Sequence, residues 1–405
     1  MRYLLVLFIL TALCLNCASA KSVELVSAQI YFKQGDFHKA IEFYLKAIED
    51  MEAKIAEAKA QGKQNKNAEK DLSLACFEIG QCYQQLQDYQ AMSRFFDKSL
   101  AVDDKFLDKI LDTREEFWVE FYNAGVPLFN QREYEKALAK FNLAVIIDPT
   151  NMQGYRQRGM CYMQMDDFES AILDFRKYLE LEALENVPKD LAVRVDLGNI
   201  YYIKYNHSRE ELQAARDKIA AGETVNESQL QDLKKSQNEF FDKTVNFYKE
   251  SLLIDPENVP IISRIGLMYQ EMGDADKAVE MYNQALLKNP TNSDLYFNMG
   301  ILYFHMDKFD KAIESFNKVV EMNPNDVESI MNLVNSLWKV EMFGQTIPYL
   351  ERVVALDAKH LQAWSLLSVA YVKEATKEGI SETLKKEYLQ KAQRANNKYK
   401  ELSGK

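Results

Sequence analysis

The sequence VPIISRIGLMYQEMGDADKAVEMYNQALLKNP, residues 259–290, is followed by LYFNMGILYFHMDKFDKAIESFNKVVEMNP, residues 295–324. The two stretches carry one pattern, because Gly266 recurs 34 residues later as Gly300, and the tyrosine, alanine and proline that follow keep the same spacing. A fixed period of this length, with small and aromatic residues at helical spacing, indicates stacked pairs of helices.

The residue types of this pattern suit two helices in close contact. Gly266 and Ala278 have little or no side chain, so the helices that carry them can approach closely. Tyr269 and Tyr282 fill the space beside that contact, and Pro290 ends the second helix. A single pair cannot bury its apolar face alone, so neighbouring pairs must stack.

The pattern apolar-x2-apolar-Gly-x2-Tyr, Ala-x3-aromatic, Pro resembles that of the tetratricopeptide repeat family. The resemblance implies an all-α fold, a right-handed superhelical solenoid of stacked antiparallel helix pairs with about nine repeats and helical insertions. The composition agrees, since 14 Gly and 8 Pro in 405 residues, with 47% hydrophobic residues, suit an all-helical chain.

Two repeat segments follow a proposed signal peptide at residues 1–20. Repeats 1–5 span residues 21–258 and are interrupted by insertions at 55–72, 107–117 and 206–239, whereas repeats 6–9 and a C-terminal capping helix span 259–405.

The insertions contain sequences typical of helix starts. Thr113-Arg-Glu-Glu116 resembles a capping box, as do Ser208-x-x-Glu211 and Thr224-x-x-Glu227, with Gly222 between the last two. We expect residues 206–239 to prolong both helices of repeat 5 into a projecting helical hairpin. The alternative is a disordered loop.

The first 20 residues are typical of a secretory signal. Arg2 precedes an apolar run from Leu4 to Leu15, and Ala18-Ser19-Ala20 is a small-x-small cleavage site before Lys21. We therefore expect an exported protein, periplasmic or extracellular. Cys17 leaves a lipoprotein open as the alternative, with a lipid tether at that cysteine, although Asn16 is not the small residue that normally precedes such a cysteine.

The sequence contains no recognisable catalytic or metal-binding motif. Its four histidines have no second His or Cys at metal-ligand spacing, and no phosphate-binding loop, nucleophile elbow or HExxH is present. Cys76, Cys82 and Cys161 are expected to be small buried hydrophobes. We therefore expect no enzyme, no cofactor and no small-molecule substrate. The net charge of −11 also argues against nucleic acid and anionic membranes as partners.

The resemblance implies that the inner face of each first helix lines a concave groove that binds a protein or peptide partner. Aromatic, Met and Asn side chains with few charges suit an extended peptide or an amphipathic helix. Core packing is the alternative role for each aromatic residue. The candidates are Tyr122, Val126, Phe129, Arg156, Met160, Met163, Asn199, Tyr202, Phe297, Phe304, His305, Met331, Asn335, Trp338 and Lys339.

Two features known from the family are missing. The carboxylate clamp needs Lys or Arg one turn before the groove asparagine, but Val195 precedes Asn199 and Met331 precedes Asn335. The His-Pro-Asp of a J domain does not occur. The sequence thus predicts an exported, non-enzymatic protein-interaction scaffold. The alternative is a lipid-anchored subunit of an outer-membrane assembly or secretion complex, and a hydrolase with the groove as its cleft is less favoured.

Overall fold

The computed structural model describes residues 22–404, and this part of the chain is helical without a strand. It divides into two compact units, the first ending at Lys189 and the second starting at Asp190. The predicted signal peptide lies outside the described residues. The predicted all-α fold is confirmed, because the described residues form nine consecutive helix pairs, four in the first unit and five in the second.

The first unit contains repeats 1–4, each of two helices. They are α1 (Val23–Lys33) and α2 (Phe37–Ala60), α3 (Lys66–Gln85) and α4 (Tyr89–Val102), α5 (Leu107–Asn130) and α6 (Tyr134–Ile147), and α7 (Met152–Gln164) and α8 (Phe168–Glu185). A 3-10 turn, Asp104–Phe106, lies between α4 and α5.

The second unit contains repeats 5–9. They are α9 (Leu191–Ala220) and α10 (Glu227–Leu252), α11 (Val259–Glu271) and α12 (Ala275–Lys288), α13 (Ser293–His305) and α14 (Phe309–Met322), α15 (Val327–Lys339) and α16 (Phe343–Leu356), and α17 (Leu361–Ala375) and α18 (Glu382–Ser403).

Glycine allows the two helices of a repeat to touch. A Cβ atom on Gly300 would lie 2.6 Å from Cε1 of the buried Phe316 ring, so no larger residue fits there unless the ring moves. The contact recurs at Gly80–Phe96, Gly125–Phe141, Gly159–Phe175, Gly198–Tyr248 and Gly266–Tyr282. Repeat 8 has Val334 at the glycine position and the smaller Leu350 at the aromatic position, both fully buried. The glycine and the ring are therefore one matched pair.

The turn between the helices uses a left-handed residue. Gly273 has a φ of +81°, and Asp274 after it caps α12 by accepting a hydrogen bond from the Lys277 N–H at 3.3 Å. Non-glycine residues adopt the same conformation at this place in five other repeats, at Gln87, Arg132, Asp166, Asp307 and Glu341. Tertiary packing of the helix pair therefore holds a backbone conformation that these residues seldom adopt alone.

The capping box predicted at residues 113–116 is wrong. Thr113 lies inside α5, where its hydroxyl donates to the carbonyl of Lys109 at 2.8 Å. The cap lies earlier, at Asp103, whose carboxylate accepts from the Lys105 N–H at 2.9 Å and starts the 3-10 turn. Residues 107–117 simply lengthen the first helix of repeat 3, because no Gly or Pro interrupts them.

Residues 206–239 comprise the C-terminal part of α9, a short connection and the N-terminal part of α10. Both helices therefore extend beyond the length of the repeat. The two predicted caps are wrong here. Ser208 is buried within α9, and Asn226 rather than Thr224 caps α10, accepting from the Ser228 N–H at 2.9 Å. A capping side chain needs the unpaired N–H groups of a helix end, and α9 has none near Ser208.

The base of this hairpin is attached to repeat 6. Arg209 of α9 forms an ion pair with Glu271 at the end of α11, and Tyr205, one turn earlier, is fully buried. Leu212 and Ala215 are also buried, so the apolar stripe of α9 continues for two turns into the insertion.

Candidate functional site

The candidates of the first unit are half-buried, and Tyr122 contacts the next repeat. Its ring stacks on Trp118 with centroids 4.7 Å apart, and its hydroxyl accepts a hydrogen bond from the Gln157 amide of α7 at 3.3 Å. Phe129 meets Tyr134 edge to face at 5.4 Å. Val126, Arg156, Met160 and Met163 are likewise half-buried.

In repeats 7 and 8 the aromatic candidates share one environment. Phe304 meets Phe309 edge to face at 5.5 Å, and Trp338 meets Phe343 in the same way at 4.9 Å. The ammonium of Lys339 lies 6.0 Å from the centre of the Phe309 ring and so connects the two repeats. Phe304 and Trp338 are half-buried, so each packs on its own repeat and still presents part of its ring to solvent.

The remaining candidates of the second unit differ in accessibility. His305 is exposed and Asn335 is half-buried, whereas the half-buried Phe297 packs against the ring of Phe316 at 5.9 Å.

The prediction of Met331 as a groove residue is wrong. It is 7% exposed and belongs to the apolar core of the second unit. It lies three residues before Val334, and residues spaced by three lie on one helix face, so it shares the face that packs inside the repeat.

A pocket of about 710 Å³ lies on the second helices of repeats 6 and 7, and a smaller one of about 430 Å³ lies on the first helices. The smaller pocket brings together two predicted residues, Asn199 and Tyr202 of α9. Its other lining residues are Ile203 from α9 and Arg264 and Leu267 from α11.

Arg264 was not predicted from the sequence. The guanidinium of this exposed residue donates to the side-chain oxygen of Asn199, and the Tyr248 hydroxyl donates to the same oxygen at 3.0 Å. The signal in the sequence is a basic residue two positions before Gly266. The groove candidates lie at other positions of the first helix, so their pattern does not include Arg264.

The network fixes the polarity of the pocket. Burial raises the pKa of the Tyr248 hydroxyl, which the Arg264 guanidinium partly opposes, so the hydroxyl stays protonated and acts as a donor. Because the Asn199 oxygen accepts both bonds, the N–H groups of this amide remain as donors beside the pocket that Asn199 lines. The pocket therefore combines N–H donors of Asn199 and Arg264 with apolar walls, an arrangement that suits a carbonyl or carboxylate oxygen beside an apolar group.

The structure offers no metal centre within residues 22–404, where no three His, Cys, Asp or Glu side chains are grouped to hold an ion. Burial raises the pKa of the Cys76, Cys82 and Cys161 thiols to about 12, so these side chains are neutral packing groups. None of the helices that the structure describes has the length and apolar character to cross a bilayer.

Four family models described as tetratricopeptide or TPR repeats match the chain. They cover residues 25–49 with 73–106, 128–196, 266–307 and 293–326, and thus parts of both units.

Individual proteins match over shorter or more divergent stretches. The UDP-N-acetylglucosamine–peptide N-acetylglucosaminyltransferase of Giardia intestinalis is 39% identical over 67 residues, which are 16% of this chain and 4% of that protein. Stress-induced-phosphoprotein 1 of Caenorhabditis elegans is 25% identical over 171 residues, 38% of this chain and 50% of that protein. This chain therefore spans half or less of these two relatives.

One solved structure aligns with part of this chain. The C-terminal part of a TPR repeat-containing protein from Cytophaga hutchinsonii aligns with a TM-score of 0.46 and 17% identity, covering 69% of this chain and 95% of that one.

Proposed function

We propose that this chain binds an extended or helical protein segment along the first helices of its second unit. The premise is that the chain belongs to the tetratricopeptide-repeat family and is a protein-interaction scaffold. No transferase activity is proposed, because the match to the glycosyltransferase covers only 4% of that enzyme.

One row of side chains carries this proposal. Tyr202, Phe304 and Trp338 occupy the same place on the first helices of repeats 5, 7 and 8, four residues after the glycine position. All three are half-buried aromatic residues. Aromatic side chains held by their own repeat lose little conformational freedom on binding, which makes them suitable anchors for apolar groups of a partner.

The Asn199–Arg264 pocket can orient a segment that is bound along this row of aromatic side chains. It adjoins Tyr202, and its N–H donors can bind a carbonyl or carboxylate oxygen of the same segment. A few fixed polar groups among apolar contacts set the register of a bound peptide, whereas the aromatic contacts supply most of the binding free energy.

The groove proposal predicts that Trp338→Ala weakens partner binding by about 2 kcal/mol or more. The partner is first captured with the photo-crosslinking residue p-benzoylphenylalanine in place of Phe304, then purified and titrated calorimetrically against each variant. A modest loss of thermal stability is also expected, since Trp338 contacts Phe343.

The matched control is Leu253→Ala, which truncates a side chain that is 77% exposed at the end of a second helix. It is expected to leave binding unchanged. Equal affinities of the Trp338→Ala variant and the wild type, or weaker binding by the control alone, would contradict a binding site on the first helices.

We also propose that the chain is exported and loses residues 1–20. The basic Arg2, the apolar run after it and the small-x-small site before Lys21 support this proposal. Mass spectrometry of the N-terminal peptide of the protein isolated from cells is expected to find Lys21 as the first residue. A lipid-modified Cys17, together with sensitivity of processing to globomycin, would instead support the lipid-anchored alternative. An intact N-terminal segment would contradict export.

A further inference from the structure

The pocket of about 710 Å³ is separate from the proposed groove. It lies between α12 and α14, over α13, and therefore on the second-helix side of repeats 6 and 7. Its lining residues include Leu286, Leu287, Met299, Tyr303, Ser315 and Lys318. Leu287 is 82% exposed, so a large apolar side chain stands at the mouth of the pocket.

In three other repeats a phenylalanine ring fills the equivalent space. In these repeats one aromatic residue of the second helix faces the glycine of the first helix, or in repeat 1 the equivalent alanine. The residue just before that aromatic is Phe43 in repeat 1, Phe95 in repeat 2 and Phe247 in repeat 5. Each ring stacks on a tyrosine of its first helix. The centroid distances are 5.3 Å for Tyr31–Phe43, 5.5 Å for Tyr83–Phe95 and 5.7 Å for Tyr201–Phe247.

In repeat 7 this position is Ser315, opposite Tyr303. Met281 and Tyr349 fill it in the two neighbouring repeats, and the charged Lys140 and Asp174 occupy it in repeats 3 and 4. The serine hydroxyl donates to the carbonyl of Lys311 in its own helix at 2.9 Å. Within residues 22–404 no aromatic ring stacks on Tyr303. Repeat 7 thus keeps the tyrosine of the stack but lacks the second ring.

Repeat 7 also has a cation at the position where repeats 1 and 8 hold one near the ring. Lys46, three residues after Phe43, has its ammonium 5.2 Å from the centre of that ring, and Arg352, three residues after Tyr349, lies 5.9 Å from the centre of the Tyr349 ring. Lys318 stands three residues after Ser315, in the same place. An aromatic ring stacks on the face of a tyrosine and attracts a cation. The Tyr303 ring and the Lys318 ammonium are therefore complementary to such a ring.

We propose that this pocket binds an aromatic side chain, Phe, Tyr or Trp, from a segment of a partner protein. The ring occupies the space above Ser315, stacks on Tyr303 and takes the ammonium of Lys318 over its other face. The apolar wall of Leu286 and Leu287 extends beyond the space of one ring and contacts the residues that flank it in the partner. The site gives the chain a second binding surface, on its second helices.

Ser315→Phe tests the proposal by restoring the ring that other repeats carry. The full chain with labelled methionine methyl groups is titrated with the blocked tripeptide acetyl-Leu-Phe-Leu-amide, and the Met299 methyl resonance is followed by NMR. In the wild type we expect a saturable ring-current shift of that resonance. The Ser315→Phe variant is expected to melt at or above the wild-type temperature and to lose the shift, whereas Ser315→Ala, which leaves the pocket open, keeps it.

A second substitution covers the case in which Phe disturbs packing. Ser315→Met introduces the residue that repeat 6 has at this place, Met281, and is also expected to abolish the Met299 shift. A folded Ser315→Met variant that still responds to the peptide would overturn the proposal, as would a wild-type protein that does not respond.

The tripeptide is compared with acetyl-Leu-Ala-Leu-amide and with toluene. We expect the phenylalanine peptide to bind at least about tenfold more tightly than either. If the alanine peptide binds equally well, the ring is not recognised. If toluene does, the pocket takes a small aromatic molecule only, and the assignment to a partner segment is wrong. None of these results depends on the first-helix groove.

Discussion

Replacing Arg158 with methionine is expected to destabilise the first unit by about 3–5 kcal/mol. In repeat 4 the Nε and Nη2 atoms of Arg158 donate to the two carboxylate oxygens of Asp174 at 2.7 and 2.6 Å, and Nη1 donates to the side-chain oxygen of Asn142 at 3.1 Å. The Asp174 side chain is only 7% exposed. Without the guanidinium, a buried carboxylate has no counter-charge.

The loss is expected to depend on pH with a definite sign. Burial raises the pKa of Asp174, and the Arg158 guanidinium opposes that shift. In the variant the opposing charge is gone, so the folded state binds a proton at pH values where the unfolded chain has lost it. Stability then falls as pH rises, and the difference from the wild type is larger at about pH 7.5 than at about pH 5. Urea denaturation at the two pH values measures this.

The control is the double variant Arg158→Met/Asp174→Leu, which removes both charges. Replacing a buried ion pair with apolar residues is often neutral, so most of the lost stability should return. A double variant as unstable as the single one would show that packing around Arg158, not the stranded charge, sets the effect.

Gly300→Val is expected to destabilise the second unit by about 1–3 kcal/mol, because the new Cβ would lie 2.6 Å from the Phe316 ring. The chain itself provides the compensating change, since Val334 and Leu350 occupy the two equivalent positions in repeat 8 and both are buried. The double variant Gly300→Val/Phe316→Leu should therefore be more stable than Gly300→Val alone.

Thermal and urea denaturation of the full chain, with Phe316→Leu as the third variant, completes a double-mutant cycle. The coupling between the two positions is expected to be favourable, because the smaller ring partner admits the valine. Additive losses would contradict the matched-pair explanation of the glycine contact.

The sequence predicts the helix pairs because their determinants lie within one repeat. Gly300, Phe316 and the turn between them lie within half of one 34-residue period, so the pattern contains both partners of the contact. Capping motifs are weaker signals. Thr113 and Ser208 have the right spacing, but each lies inside a helix that packing prolongs, and a cap acts only where a helix begins.

The pockets depend on more than one repeat, and this limits their prediction. Arg264 reaches Asn199 from the next repeat along the chain, a contact that the pattern of a single repeat does not contain. Met331 was misplaced for a different reason, since it lies on the helix face that packs inside its own repeat. Ser315 is visible in the sequence as a small residue, but its meaning follows only from the rings that stack at the same place in repeats 1, 2 and 5.

The burial of the cysteines has a practical consequence for labelling. The thiols of Cys76, Cys82 and Cys161 are fully buried, and with their raised pKa they hold almost no thiolate near neutral pH. Maleimide reagents react with thiolates, so they spare these three while the helices stay closed. In the protein without residues 1–20, which contain Cys14 and Cys17, a fluorophore can therefore be attached to a cysteine introduced at the exposed Thr224 while Cys76, Cys82 and Cys161 are kept. The rate at which the native thiols are slowly modified then measures the opening of repeats 2 and 4.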